Sequence, residues 1–323
     1  MKLLVTGGAG YVGSVVAHLL LEAGHHVVIV DDLSRNDDRQ IPPGAVFAQL
    51  RVQDIAEILT PAAGFDAVLH FAGLIAAGES MQHPDWHWDN NTRASLALLD
   101  AMLAAGVHRL VFSSTAAVYG EPGTLPVTET APTDPINTYG DTKLAVDRAI
   151  ASYCRTGTVG AISLRYFNVA GAHQIHAGPL LGERHNPETH LIPLALDAAA
   201  GLRPCTLFGD DYPTPDGTCV RDYIHITDLA HAHLLALDAL TPGAHRIFNL
   251  GNGVGYSNAQ VVQAIQEVAG TPFRVEHAAR RPGDPAFLYA SCERAAVDLG
   301  WKPQHPDIHD IVSTAWEFHR THH

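Results

Sequence analysis

Short apolar runs alternate with longer stretches of helical period through the first half of the chain. LLV at 3–5, HVVIV at 26–30, AVLHFA at 67–72, RLVFSS at 109–114 and AISLRYF at 161–167 have the length and apolar content of buried strands. Between the first two, a helix is expected from about Tyr11 to Ala23, stopped by Gly24. Strands alternating with helices give a parallel sheet with right-handed crossovers. The expected fold is therefore α/β, a doubly wound parallel sheet of Rossmann type with a smaller, loop-rich C-terminal lobe. Beyond Asn168 the alternation breaks, and Gly171, Gly178, Pro179, Pro187, Pro204, Pro213 and Pro215 punctuate the chain around one helical piece, LIPLALDAAAG. DLAHAHLLALDAL and HRIFNLG restore a helix and a strand. The division expected is 1–168 for the nucleotide-binding domain, with segments from about 219–250 returning to it. Residues 169–323 mainly form a substrate lobe over the carboxyl ends of the strands, where open α/β sheets place ligands.

The turn after the first strand gives this pattern its chemistry. Gly7, Gly10 and Gly13 space a loop whose backbone can approach a ligand closely, and the helix it opens turns N–H groups toward an anion. A pyrophosphate suits that position. Asp31 ends the second strand, where its carboxylate accepts from a ribose 2′-hydroxyl and repels a 2′-phosphate, which favours NAD over NADP.

Composition narrows the classes that remain. At 323 residues with 46% hydrophobic content, the chain is globular and larger than one typical core. No apolar run approaches about 18 residues and the first residues read as a strand, so no membrane partner and a cytoplasmic location are expected. A formal charge of −14 argues against a nucleic-acid partner, which needs a basic face, and requires a local cationic pocket for any anionic ligand. Cys154, Cys205, Cys219 and Cys292 are scattered without CxxC spacing. The 21 histidines, among them His25-His26 and His231-x-His233, show no HExxH spacing, so no metal is expected.

Two further features carry reactive groups. Tyr139 and Lys143 stand four apart at the start of a predicted helix, sharing one face. An ammonium beside a phenol favours phenolate and lowers its pKa, making Tyr139 an acid/base candidate. Upstream, Ser113, Ser114 and Thr115 end a predicted strand and can face the same crevice.

TGGAGYVGS, HFAGLIAAGESMQHP, DNN, FSSTAAVYG, YGDTK, LRYFNVAGAH, THLIP, DGTCVRDYIHITDLA, FNLGNGVGYS and RRPGD follow one another over nearly the whole chain. In this order they resemble the extended short-chain dehydrogenase/reductase family, and within it the UDP-glucose 4-epimerase branch. The resemblance implies an isomerase that inverts C4 of a UDP-hexose through a 4-keto sugar, interconverting UDP-glucose and UDP-galactose in galactose metabolism. It implies NAD against Gly7, Gly10, Tyr11, Val12, Asp31, Gln49, Leu50, Phe71, Ala72, Gly73, Asn90, Ser113, Tyr139, Lys143 and Tyr166. Tyr139 would be the base, Lys143 its partner and ribose anchor, and Thr115 the hydroxyl beside the sugar 4-OH. The UDP-sugar would meet Thr115, Asn168, His190, Leu191, Leu207, Phe208, Arg221, Arg281, Asp284 and Leu288. It further implies a homodimer formed through TRASLALLDAMLAAG and YGDTKLAVDRAIASY.

Several positions depart from the family. Ile75 stands where some members carry a lysine, Gln49-Leu50 replaces an Asp-Ile pair at adenine, and His190 replaces an asparagine. Leu288 stands where a larger residue limits the sugar 2-substituent, so N-acetylated UDP-hexosamines are an alternative substrate; a UDP-uronate is another, because its carboxylate could be met by His or Thr. Dehydratases of this fold follow the strand-end threonine with Asp-Glu, whereas Ala116-Ala117 follows Thr115 here. That argues against dehydration.

Overall fold

The computed structural model describes every residue except Ala177, Pro282 and His323. Its central sheet has seven strands, all parallel: β1 (Lys2–Thr6), β2 (His26–Asp31), β3 (Val46–Gln49), β4 (Ala67–His70), β5 (Arg109–Thr115), β6 (Gly160–Tyr166) and β7 (His245–Leu250). Their spatial order is β7-β6-β5-β4-β1-β2-β3. This is the doubly wound sheet expected. The order reverses beside β1, so the crevice at the switch point opens over the carboxyl ends of β1 and β4. β3, formed by VFAQ, is a short edge strand in which Val46 and Gln49 are exposed.

Helix α1 (Tyr11–Glu22) and helix Ile226–Asp238 pack together on one face of the sheet, around Val15, Leu20, Leu229 and Phe248. On the other face, helices Ala94–Ala105 and Thr138–Cys154 enclose Leu98, Met102, Phe112 and Ile150. Strand β7 pairs with β6, and helix Ile226–Asp238 packs against the sheet. Strand Val220–His225 instead pairs with Asn168–Ala170 in the smaller lobe, together with Gly255–Ser257 and Phe287–Leu288.

The junction of the two lobes is polar and buried. Asp222, inaccessible to solvent, accepts backbone N–H bonds from Asn252 (2.7 Å), Gly253 (3.0 Å) and Ala290 (3.0 Å). Gly251, just after β7, is required there, because a Cβ would lie 2.3 Å from the carboxylate.

Buried histidines make the fold acid-sensitive. Burial pushes His70 and His225 down to about 3 and His233 to about 4, from 6.5. Between about pH 6.5 and 4 the unfolded chain takes up protons that the folded chain refuses, so stability falls as pH falls through that window. Asp222, raised by burial to about 6 from 3.8, opposes the trend below pH 6, whereas His87, His173 and His245, also lowered by burial, add to it. The urea midpoint should therefore drop between pH 7.5 and 5; a midpoint that rises would contradict this assignment.

Candidate active site

A single cavity of about 520 Å³ runs from the glycine loop and Asp31 to the smaller lobe at Arg221, Arg281 and Asp284. The loop is shaped by absent side chains. Gly7 has φ +72°, and a Cβ there would lie 2.5 Å from the Ala72 nitrogen; a Cβ on Gly13 would lie 2.2 Å from the Gly7 carbonyl oxygen. The start of α1 is thereby seated against β1, leaving Gly10, Tyr11 and Val12 on the cavity wall. The Tyr11 hydroxyl points elsewhere, donating to the Gly171 carbonyl at 2.6 Å, so only its backbone is available to an anion.

Asp31 accepts from the backbone N–H groups of Ala9 (3.1 Å) and Leu33 (3.0 Å), one on each oxygen. Each oxygen retains acceptor capacity toward the cavity. Burial raises this carboxyl, and the two N–H bonds draw it back. Asp32 also lines the cavity, and Arg35 is engaged by Glu79 at 2.8 and 3.0 Å. These features fit a ribose diol and disfavour a 2′-phosphate. Leu50 lines the cavity, whereas Gln49, expected at adenine, does not. In register opposite Asp31 at the sheet edge, it is exposed and its amide donates to the Asp32 carbonyl. Val52 and Gln53, not singled out in the sequence, lie on the wall instead.

Phe71, Ala72 and Gly73 follow β4 into the cavity, joined by Ile75 and by Asn90 from a π-turn at Trp88–Arg93. Such turns recur at functional positions. Asn137 caps helix Thr138–Cys154 by accepting from the Gly140 N–H at 2.9 Å, and the Tyr139 N–H donates to Ser80 at 3.0 Å. This fixes the helix start so that the Tyr139 hydroxyl faces Thr115 at the end of β5, close enough to feel its hydroxyl. Lys143 is buried one turn on, its Nζ donating to the Ser113 carbonyl at 2.9 Å. Ser113 and Tyr166 share a hydroxyl hydrogen bond on the wall.

Electrostatics differ from the expectation in one respect. Tyr139 is raised, not lowered: burial is the largest influence, and the Thr115 hydroxyl draws it partly back. Lys143 lies behind Ser113 rather than on the cavity wall, and burial depresses its own ammonium to about 8. Phenolate thus needs further positive charge beside it.

At the other end, Asn168, His190, Leu191, Arg221, Arg281, Asp284 and Leu288 line the cavity. Asp284 lies 3.7 Å from Arg221 and 3.3 Å from Arg281. Leu207 and Phe208 are not on the wall. In strand Cys205–Phe208 Leu207 faces the lobe's core, and the Phe208 ring lies under the Arg281 guanidinium at 4.5 Å. His190 Nδ1 lies against Glu183 and Glu188, and His185 Nδ1 against Glu183, a grouping sequence reading missed. Ala116 and Ala117 present methyl groups where a second acid/base pair would stand. Of the histidine pairs noted in the sequence, His233 bonds the Leu229 carbonyl within its helix, and His25 Nδ1 lies 3.3 Å from the Met1 amino nitrogen.

Sheet, loop and tyrosine–lysine pair define the class, a dinucleotide-dependent enzyme of the extended short-chain dehydrogenase/reductase type. The chain belongs to the NAD dependent epimerase/dehydratase family, whose model matches residues 3–251. It is 54% identical over 319 residues to the UDP-glucose 4-epimerase of Corynebacterium glutamicum, covering 98% of this chain and 95% of that protein. The UDP-glucose 4-epimerase of Bifidobacterium longum, solved in complex with NAD+ and UDP, superposes with a TM-score of 0.94 at 36% identity, covering 100% of this chain and 99% of that one. The UDP-Glc/GlcNAc 4-epimerase of Campylobacter jejuni gives 0.84 at 38%, covering 99% of each chain.

Proposed function

We propose that the protein interconverts UDP-glucose and UDP-galactose by NAD-dependent inversion at C4. The observation that carries this reading is one continuous cavity joining Asp31 to Arg221, with Thr115 and Tyr139 between and no acid at 116 or 117. Carbon 4 of a hexose bears no acidic hydrogen, so inversion passes through a ketone. Tyr139, directly or through Thr115, takes the 4-hydroxyl proton and later returns it. NAD, when bound at the glycine loop and Asp31, supplies the hydride acceptor and, on return, the donor. Lys143 keeps positive charge beneath the site, and Arg221 and Arg281 hold the diphosphate end while the ketone turns over.

The test is purified protein against a panel of UDP-sugars without added NAD. UDP-galactose and UDP-glucose should equilibrate, because a cofactor regenerated each turnover stays bound; no conversion even with NAD supplied would reject the reading. Leu288 on the cavity wall, together with the likeness to the Campylobacter enzyme, supports conversion of UDP-N-acetylglucosamine as well, read in the same panel as appearance of its epimer.

The exposed Leu96 and Leu103, one heptad apart on helix Ala94–Ala105, support a homodimer through that face. Leu96→Glu with Leu103→Glu should halve the mass measured by sedimentation. A monomeric parent would remove the basis for this. No helix among the described residues is long and apolar enough to cross a membrane, which is compatible with a cytoplasmic enzyme of galactose metabolism.

A further inference from the structure

The loop entering helix Leu191–Ala199 reads Glu183-Arg-His-Asn-Pro-Glu-Thr-His190. It brings Glu183, His185, Glu188 and His190 together, with one ligand atom from each lying within 4.8 Å of the others. Glu183 Oε1 is 2.7 Å from Nδ1 of both His185 and His190, and Glu188 Oε1 is 3.0 Å from His190 Nδ1. The backbone N–H groups of Thr189 (2.6 Å) and His190 (2.8 Å) hold the Glu188 carboxylate in place. We propose that these four side chains form a binding site for a divalent transition-metal ion of the Zn²⁺ type, clamping this loop.

The donor set argues for that class of ion. Two imidazoles and two carboxylates match the N and O ligands that Zn²⁺ accepts, and a dication with two carboxylates and two neutral imidazoles is charge-neutral. Mg²⁺ prefers oxygen and water and gains nothing from imidazole. Bonds of about 2.0–2.2 Å set tetrahedral donors about 3.4 Å apart. The closest pairs must open by roughly 0.7 Å, which side-chain rotation supplies. The ion replaces the protons now on Nδ1: an imidazole already protonated on Nε2 releases its Nδ1 proton to solvent, and one that is not moves that proton to Nε2, so both ligate as neutral rings. The backbone bonds to Glu188 are the kind of outer support that orients a ligating carboxylate.

Location supplies a second argument. Glu183, His185 and His190 line the cavity, and the fields of Glu183 and Glu188 reach Tyr11 at the start of α1. The Glu183 carboxylate on the wall of a cavity built for anions, with Glu188 beside it, opposes ligand entry. A dication among them cancels that charge. Its role here is to fix the loop, and no reaction step passes through it.

The experiment uses full-length protein, stripped with chelator and checked for retained NAD and circular dichroism. Zn²⁺ is titrated against a chromophoric chelator, beside His185→Gln and Glu188→Gln. The parent should bind one equivalent more than either variant, on the order of 100-fold more tightly than its background histidine sites. Zn²⁺ but not Mg²⁺ should raise its melting temperature, and Co²⁺ should give an intense tetrahedral visible band that both variants lack. Equal stoichiometry and affinity in the parent and both variants, or no parental site above background, overturns the proposal. Should one variant fail to fold, the other reads the same difference.

Discussion

Tyr139→Phe removes the hydroxyl proposed to act on the sugar 4-OH, and turnover of UDP-galactose should fall by roughly 10²–10⁴-fold. The substitution deletes one oxygen and leaves the helix start alone, because Tyr139 is held through its backbone N–H on Ser80 and by the Asn137 cap. NAD released on denaturation and measured by chromatography should stay at the parental amount. Turnover at the parental rate would sink the mechanism. A wholly lost cofactor would instead assign Tyr139 to binding. The raised phenol makes the comparison informative: burial opposes ionisation, Thr115 assists it, and Lys143 is engaged with the Ser113 carbonyl, so phenolate depends on charge delivered with the ligand.

Gly13→Ala should have the second large effect. Its Cβ would sit 2.2 Å from the Gly7 carbonyl oxygen, a backbone atom that yields only if the glycine loop moves off β1. Overpacking of this sort costs about 1–3 kcal/mol, and here the displaced atoms also frame the cofactor pocket. The purified variant should carry little NAD and melt several degrees lower, with added NAD restoring activity only in part. Full cofactor content at the parental melting temperature would mean that the loop is looser than its packing indicates.

What the sequence discloses follows from how local each signal is. The β1–loop–α1–β2 segment and the Tyr139–Lys143 pair are written within thirty residues or one helical turn, so period and spacing suffice. Gln49 and Leu207 required strand register to place: on an edge strand and in a short alternating strand, one residue decides which face a side chain takes. Electrostatics was less legible still. Spacing put Lys143 beside Tyr139 but could not reveal that its ammonium is tied to a carbonyl. The cluster at residues 183–190 has no helical or strand period, and its E-x-H-x-x-E-x-H spacing becomes a convergence of ligands only when the loop folds back on itself.

The buried carboxylate of Asp222 ties the end of β7 to two separate stretches of the smaller lobe through three backbone N–H bonds. Such a joint resists hinge opening, since separating the lobes strands an acceptor without donors in a dry interior. The half-turn between the two hydride transfers therefore falls to the sugar ring, swinging about its diphosphate inside walls that hold still. How freely the ring can swing is then set by the room those walls leave.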